Sequence, residues 1–289
     1  MDGPWPAPAK LNLFLHVVGR RPDGYHLLQT LFQFLDWGDE LWLRPREDGR
    51  ILRLEGPEEV PAEEDLAVRA ARLLQAEAGV GRGVELRVRK RLPLGGGLGG
   101  GSSDAATALV ALSRLWGLGL GEEELAALGL RLGADVPVFV RGRAAWAEGV
   151  GERLRPVEPP EPWYLVLHPG VAVATAEVFG DAALTRDSPT VTISDFLAGR
   201  CRNDCEAVVR RRFPEVARAL DWLGAFAPAR LTGTGACLFA AFPERAAAEA
   251  VARRVPAPWR AWVARGRNRS PLLDRVGDRA GGRGGPPGA

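Results

Sequence analysis

Lysine is almost missing from this 289-residue chain: of 38 basic residues, only Lys10 and Lys90 are lysine. Arginine serves wherever a generic surface cation would do. A lysine amid that bias is a candidate for chemistry, because an ammonium is a compact point charge with a tunable proton affinity and a guanidinium is not. Cysteine is scarce as well. Cys201, Cys205 and Cys237 are an odd number, which argues against a disulfide framework, and a Cys-x3-Cys pair without a nearby histidine makes a poor zinc site, so buried thiols are expected. No apolar run approaches the ~20 residues of a membrane span, and no basic-then-apolar leader opens the chain; a cytoplasmic protein with no membrane partner is expected. Net charge is only +2, yet nine arginines against Asp274 and Asp278 crowd the stretch from Arg253 onward. The last residues lack aromatics for base stacking and are too poor in apolar side chains to fold, so 273–289 is expected to be a disordered, solvated end, with no nucleic-acid partner.

Glycine is abundant, and it is concentrated. Positions 95–101 hold six glycines around Leu98, opening onto Ser102-Ser103-Asp104-Ala105-Ala106-Thr107. Glycine lets the backbone take positive φ and approach a ligand closely, so successive amides can converge on phosphate oxygens beside a helix N-terminus. The flanks fit that role. Val84 to Leu92 alternates apolar and charged residues, the period of a half-buried strand closed by Pro93; Ala105 to Trp116 reads as a buried helix, with Ser102, Ser103 and Asp104 as cap residues. A P-loop requires Lys and then Ser or Thr after its last glycine, and no lysine follows Gly101. Gly95, Gly97 and Gly100 match G-x-G-x-x-G, but a dinucleotide fold needs a second strand about 20 residues on, where this chain reads Gly117-Leu-Gly-Leu-Gly-Glu-Glu-Glu. A phosphate cradle remains.

Two domains suit this length. Lys10 to Val18 alternates as a strand closed by an Arg20-Arg-Pro-Asp-Gly24 turn. Leu28 to Leu35 and Glu40 to Leu43 read as a hairpin across Trp37-Gly38-Asp39, and Ile51 to Glu55 as a further strand. Leu66 to Ala78, with Leu66, Ala70, Leu73 and Leu74 on one face and Gly79 as a stop, is an amphipathic helix. Glu122 to Leu132 is another. The proline-rich Pro156 to Pro162 marks a boundary. Beyond it, Trp163 to Leu167, Ala236 to Phe242 and Trp259 to Ala264 are strand-like, with helices over Asn203 to Arg212, Pro214 to Ala225 and Glu244 to Arg254.

Transfer from a bound triphosphate needs a group that orients the accepting hydroxyl and takes its proton. Asp135, in Gly133-Ala-Asp135-Val-Pro137, lies just past a helix stop and could serve there, although spacing alone favours an ordinary turn or capping aspartate. Spacing alone does not pair it with Lys10.

Four segments, Pro8-Ala-Lys10-Leu-Asn12-Leu, the glycine loop to Ser103, Gly133 to Phe139 and Leu231-Thr-Gly-Thr-Gly-Ala-Cys237, together resemble the GHMP kinases, the superfamily of galactokinase, homoserine kinase, mevalonate kinase and phosphomevalonate kinase. Arg21-Pro-Asp-Gly-Tyr25-His26 and Asn203-Asp-Cys-Glu206 make the likeness closest to the branch acting on a cytidine diphosphate sugar alcohol in the non-mevalonate isoprenoid route, and it runs from about Pro8 to Leu272. The resemblance implies a two-domain α+β fold (1–155 and 156–272), each domain a mostly antiparallel sheet covered by helices, with the active site in the cleft between them. It implies an ATP-dependent, magnesium-requiring kinase, a homoserine or mevalonate type being the alternative, acting as monomer or homodimer. Asp135 would be the base and Lys10 its partner. Lys90, Pro93, Leu94, Gly95, Gly96, Gly97, Leu98, Gly99, Gly100, Gly101, Ser102 and Ser103 would bind ATP, with Lys90 approaching the adenine, near which Asp65 stands where such kinases more usually carry asparagine. Asn12, Tyr25, His26, Thr175 and Phe179 would hold the second substrate, with Tyr25 and Phe179 sandwiching the cytosine and His26 reading its polar edge. No carboxylate pair dedicated to magnesium is visible, so no metal ligand is assigned.

Overall fold

The computed structural model describes residues 1–280. In chain order the elements are β1 (Asp2–Arg20), β2 (His26–Arg46), β3 (Ile51–Glu55), α1 (Leu66–Ala78), β4 (Gly83–Arg89), α2 (Gly100–Leu115), α3 (Glu122–Leu130), α4 (Val136–Arg141), β5 (Ala145–Glu148) and β6 (Arg153–Pro156). The second half adds β7 (Trp163–His168), α5 (Thr175–Gly180), α6 (Ile193–Leu197), α7 (Glu206–Arg212), α8 (Pro214–Gly224), β8 (Ala229–Leu231), β9 (Leu238–Phe242), α9 (Arg245–Ala252), β10 (Arg260–Arg267) and α10 (Pro271–Ala280). None of these helices is long and apolar enough to cross a membrane.

The strands join along the path β3-β4-β2-β10-β7-β9-β8, with β1 and β5 pairing off β2 and β6 pairing off β5. Every pairing is antiparallel except β3 with β4. Helices α1 to α4 cover one apolar core with β1, β2 and β4, whereas α5 and α7 to α9 cover a second with β7 to β9. A third cluster, from Ala9 and Leu11 to Val166 and Phe239, fills the seam between the halves. There Gln33, fully buried, accepts from the Tyr164 hydroxyl at 2.7 Å and donates to the Pro160 carbonyl and Asn268 Oδ1. Those bonds satisfy a buried amide that would otherwise be costly.

The expected hairpin at Trp37-Gly38-Asp39 is instead the middle of one continuous strand, β2. The reason is contact, not turning: a Cβ on Gly38 would lie 2.2 Å from the Ala7 carbonyl oxygen, so glycine there lets β1 pass at a bulge, while Trp37 stacks on Trp262. The expected disordered end also needs correction. Residues 273–280 continue α10, whose Leu272 and Val276 pack on the first core; 281–289 lie outside the described residues. The three cysteines are buried free thiols, and burial pushes Cys205 up to about 12.

Candidate active site

Strand, loop and helix follow one another as the glycine pattern requires, but the helix starts earlier than its polar residues suggested. Gly99 is the N-cap, in the left-handed region at φ 74°, and no side chain caps the helix; Ser102, Ser103 and Asp104 therefore fall inside the first turns of α2. The leading amides of α2 are thus left uncapped by side chains at the place where a phosphate would be received. Gly95, Gly97 and Gly99 all have positive φ. At Gly97 close approach matters as much: an added Cβ would sit 2.3 Å from the Thr232 carbonyl oxygen. The Cys237 amide donates to the Gly96 carbonyl at 3.1 Å, and Thr232 Oγ1 donates to the Gly97 carbonyl at 3.3 Å. The two glycine-rich turns are stitched to each other, as small residues permit.

Lys10 comes up beneath this loop from β1. Its backbone amide donates to the Leu98 carbonyl, and its Nζ donates to Asn12 Oδ1 at 2.6 Å and to the Gly97 carbonyl at 3.1 Å. Asn12 is held in turn, donating from Nδ2 to Thr30 Oγ1 at 3.0 Å and from its amide to Thr232 Oγ1. An ammonium has three protons. Two are committed to Asn12 and Gly97, and the remaining face of Lys10 meets Asp135 Oδ2 at 3.3 Å. Asp135 occupies the N-cap of α4, yet its side chain makes no cap bond. Its side chain is aimed at the lysine rather than at the turn, with Lys10 buried and Asp135 one-third exposed. The loop and the two side chains converge on one point, although the residues are far apart in the chain.

That point is the floor of a cleft of about 780 Å³, lined from the first half by Lys10, Asn12, Tyr25, His26 and Asp135 and from the second by Thr175, Phe179 and Thr234. At the rim Tyr25 is 65% exposed, and the His26 and Phe179 rings stack at 5.0 Å and 22°. Burial, then the Arg186 and Arg20 guanidiniums, hold His26 below its ordinary pKa. Thr175 and Thr234 share a hydroxyl contact at 3.0 Å. The Arg20 to Gly24 turn forms as expected, with Arg20 donating to the Gly24 carbonyl at 3.1 Å.

Some expected nucleotide-site residues lie elsewhere than the cleft wall. Lys90 sits behind the loop, ion-paired with the buried carboxylates Asp39 and Asp104, its Nζ 3.4 Å from where a Cβ on Gly100 would be. Asp65 caps α1, accepting from Ala67, and pairs with Arg53 at 2.9 Å. Ser103 is fully buried. Leu94, Gly95 and Gly101 are exposed, and Pro93 and Ser102 half-buried. Sequence reasoning missed Thr30, which steadies Asn12, and Arg186, which touches His26. Thr30 acts from the neighbouring strand, 18 positions from Asn12, whereas Arg186 acts across the fold on a residue 160 positions away. Asn203, seen only as part of a motif, donates to the Leu231 and Gly233 carbonyls and so braces the second glycine turn.

The chain matches the family models described as GHMP kinases N terminal domain, over residues 65–143, and GHMP kinases C terminal, over 190–261. It is 61% identical over 272 residues to a 4-diphosphocytidyl-2-C-methyl-D-erythritol kinase of Halorhodospira halophila, covering 93% of this chain and 94% of that protein. A kinase of the same name from Nitrosococcus oceani is 61% identical over 270 residues, covering 93% and 96%. Among solved structures, a 4-(cytidine 5'-diphospho)-2C-methyl-D-erythritol kinase superposes with a TM-score of 0.80 at 37% identity, covering 90% of this chain and 98% of that one. The mevalonate kinase of Methanococcus jannaschii superposes with a TM-score of 0.65 at 16% identity, covering 90% and 97%, which is a likeness of fold.

Proposed function

The chain belongs to the 4-diphosphocytidyl-2-C-methyl-D-erythritol kinases, within the GHMP kinases, and from that premise we infer how its own residues carry the reaction. It is an ATP-dependent kinase that phosphorylates the C2 hydroxyl of 4-diphosphocytidyl-2-C-methyl-D-erythritol in the non-mevalonate isoprenoid precursor pathway. A homoserine- or mevalonate-type acceptor has no comparable backing, since those kinases share the fold at 18% and 16% identity.

One observation carries the assignment of roles: Asp135, Lys10 and the Gly97 carbonyl of the cradle meet within 3.3 Å of the ammonium. We assign Asp135 as the base that takes the proton of the accepting hydroxyl. Lys10, clamped by Asn12 and Gly97, supplies fixed positive charge against the charge that develops on the transferred group and on the attacking oxygen. With the ammonium already held by Asn12 and the Gly97 carbonyl, little reorganisation is needed at the moment of transfer. The loop amides and the uncapped start of α2 are assigned to the nucleotide phosphates, and Tyr25, His26, Thr175 and Phe179 to the cytidine end.

Magnesium is proposed to enter with the nucleotide phosphates. The described residues hold no group of three or more His, Cys, Asp or Glu placed to bind a metal ion, so no residue is assigned to it. The assigned groups all come from one chain, so a monomer and a homodimer would both be competent. Free thiols and nucleotide substrates favour the cytoplasm. The deciding experiment is turnover of the cytidine substrate with ATP and magnesium, alongside Asp135→Asn: nucleotide binding with most turnover lost is expected, and near-normal turnover would refute the role of Asp135.

A further inference from the structure

Arg186 makes contacts at the cleft mouth that the transfer step does not use. It lies between α5 and α6, and its guanidinium is heavily committed: Nε donates to His26 Nε2 at 3.1 Å, Nη1 to the Leu184 carbonyl at 3.1 Å, and Nη2 to the carbonyls of Phe179 at 3.0 Å and Asp181 at 2.8 Å. A guanidinium only donates. His26 Nε2 must therefore present its lone pair, which leaves the proton of the neutral ring on Nδ1. The lowered pKa of His26 favours that neutral ring. Through the Phe179 carbonyl the same arginine also ties down the residue against which the imidazole is stacked. Among the described residues His26 Nδ1 has no hydrogen-bond partner, and His26 lines the cleft.

The two natural pyrimidines differ on the edge such a donor would meet. Ring nitrogen N3 of cytosine carries a lone pair, whereas N3 of uracil carries a proton. An imidazole fixed as an N–H donor can bond the first and sets two donors against each other with the second, a mismatch that polar sites use for discrimination. An imidazole free to change tautomer would accept from uracil through the same atom. We propose that Arg186 is a positioning residue that locks His26 as an Nδ1–H donor and thereby makes the site select cytosine over uracil. The inference rests on the cytidine reading of the cleft.

Nitrogen-detected NMR of histidine-labelled wild-type protein should show His26 with its proton on Nδ1, and CDP should compete with the cytidine substrate more strongly than UDP. In Arg186→Met the CDP-over-UDP preference should fall about tenfold, the worth of one hydrogen bond. His26 should then show mixed tautomers, and the loss should fall on KM for the cytidine substrate rather than on kcat. Arg186→Lys, which restores a donor, should recover part of the preference. An Nε2-protonated His26 in the wild-type protein overturns the proposal, as does equal competition by CDP and UDP or an unchanged preference in a folded Arg186→Met. If that variant does not fold, the wild-type spectrum decides alone. Failure of CDP to compete at all would overturn the cytidine reading itself, a separate outcome.

Discussion

The two ends of the cleft are built by different means. At the proposed phosphoryl end the ammonium is buried and held by its neighbours: Lys10 is 3% exposed and bonded to a loop carbonyl, Asn12 behind it has both side-chain polar atoms engaged, and Asp135, one-third exposed, is anchored by its ion pair with Lys10. At the base end the candidate contacts are rings on a turn and on a six-residue helix, with Tyr25 standing open to solvent. Charge development has to be met by groups that do not need to move. A flat aromatic base can be gripped by surfaces, which tolerate small displacements. The catalytic end should therefore fail steeply when altered, mainly in rate, and the base end gradually, mainly in affinity.

The steepest loss is expected for Asp135→Asn, which keeps the shape and removes the proposed proton acceptor. kcat should fall by about 10³, within the range for general bases, with binding of a non-hydrolysable ATP analogue retained by calorimetry. Gly97→Ala comes next. A Cβ there would lie 2.3 Å from the Thr232 carbonyl at a backbone φ of +75°, so the cradle and the second glycine turn must separate. kcat/KM should drop by about 10², the scale of an ångström-sized misplacement. Gly79→Ala is the control: it also has positive φ, +60°, but open space around it, and should cost only about 1 kcal/mol of stability with unchanged kinetics. Equal kinetic damage from both would show that the close approach at Gly97 has no special part in catalysis.

The catalytic end was half legible in the sequence. The cradle could be read because its signal is local: alternation along β4, glycines, then an apolar helix, each set by short-range chemistry. Helix α1 was read to its last residue because the apolar face and the glycine stop agree. The strand β2 was misread because Trp37-Gly38-Asp39 has turn composition, while the reason for its glycine lies in Ala7 on another strand. Lys10 and Asp135 were each visible as odd residues in suggestive places, but only resemblance joined them, since nothing local encodes a contact across such a separation. Arg186 had no signal at all in a chain with so many arginines, and its partner His26 lies 160 positions away. What sequence hides here is long-range placement.

The base end should respond more mildly. Tyr25→Ala should raise KM for the cytidine substrate about tenfold, the scale of one base-stacking contact, with kcat little altered. A loss in kcat of the size expected for Asp135→Asn would mean that the rim also aligns the reacting hydroxyl, and the contrast between the ends would narrow.

The smallest effect tests whether the buried charges behind the cradle are part of its rigidity. One ammonium, Lys90, serves two carboxylates there: Asp39, which also accepts from the amides of Arg91 and Leu92, and Asp104, whose Oδ1 has no partner. Burial drives Asp104 up to about 7 despite the opposing pull of Lys90, with Asp39 adding to the rise. A carboxyl whose folded pKa exceeds its unfolded value holds its proton longer in the native state, so its contribution to stability falls as pH rises between the two values, here from about 4 to about 7. Asp104→Asn carries no such titration. The Tm of the wild-type protein minus that of the variant should therefore be greatest near pH 4 and shrink by a few degrees by about pH 8. A difference that stays constant would mean that Lys90 keeps Asp104 ionised throughout, and that the cradle rests on a permanently charged triad.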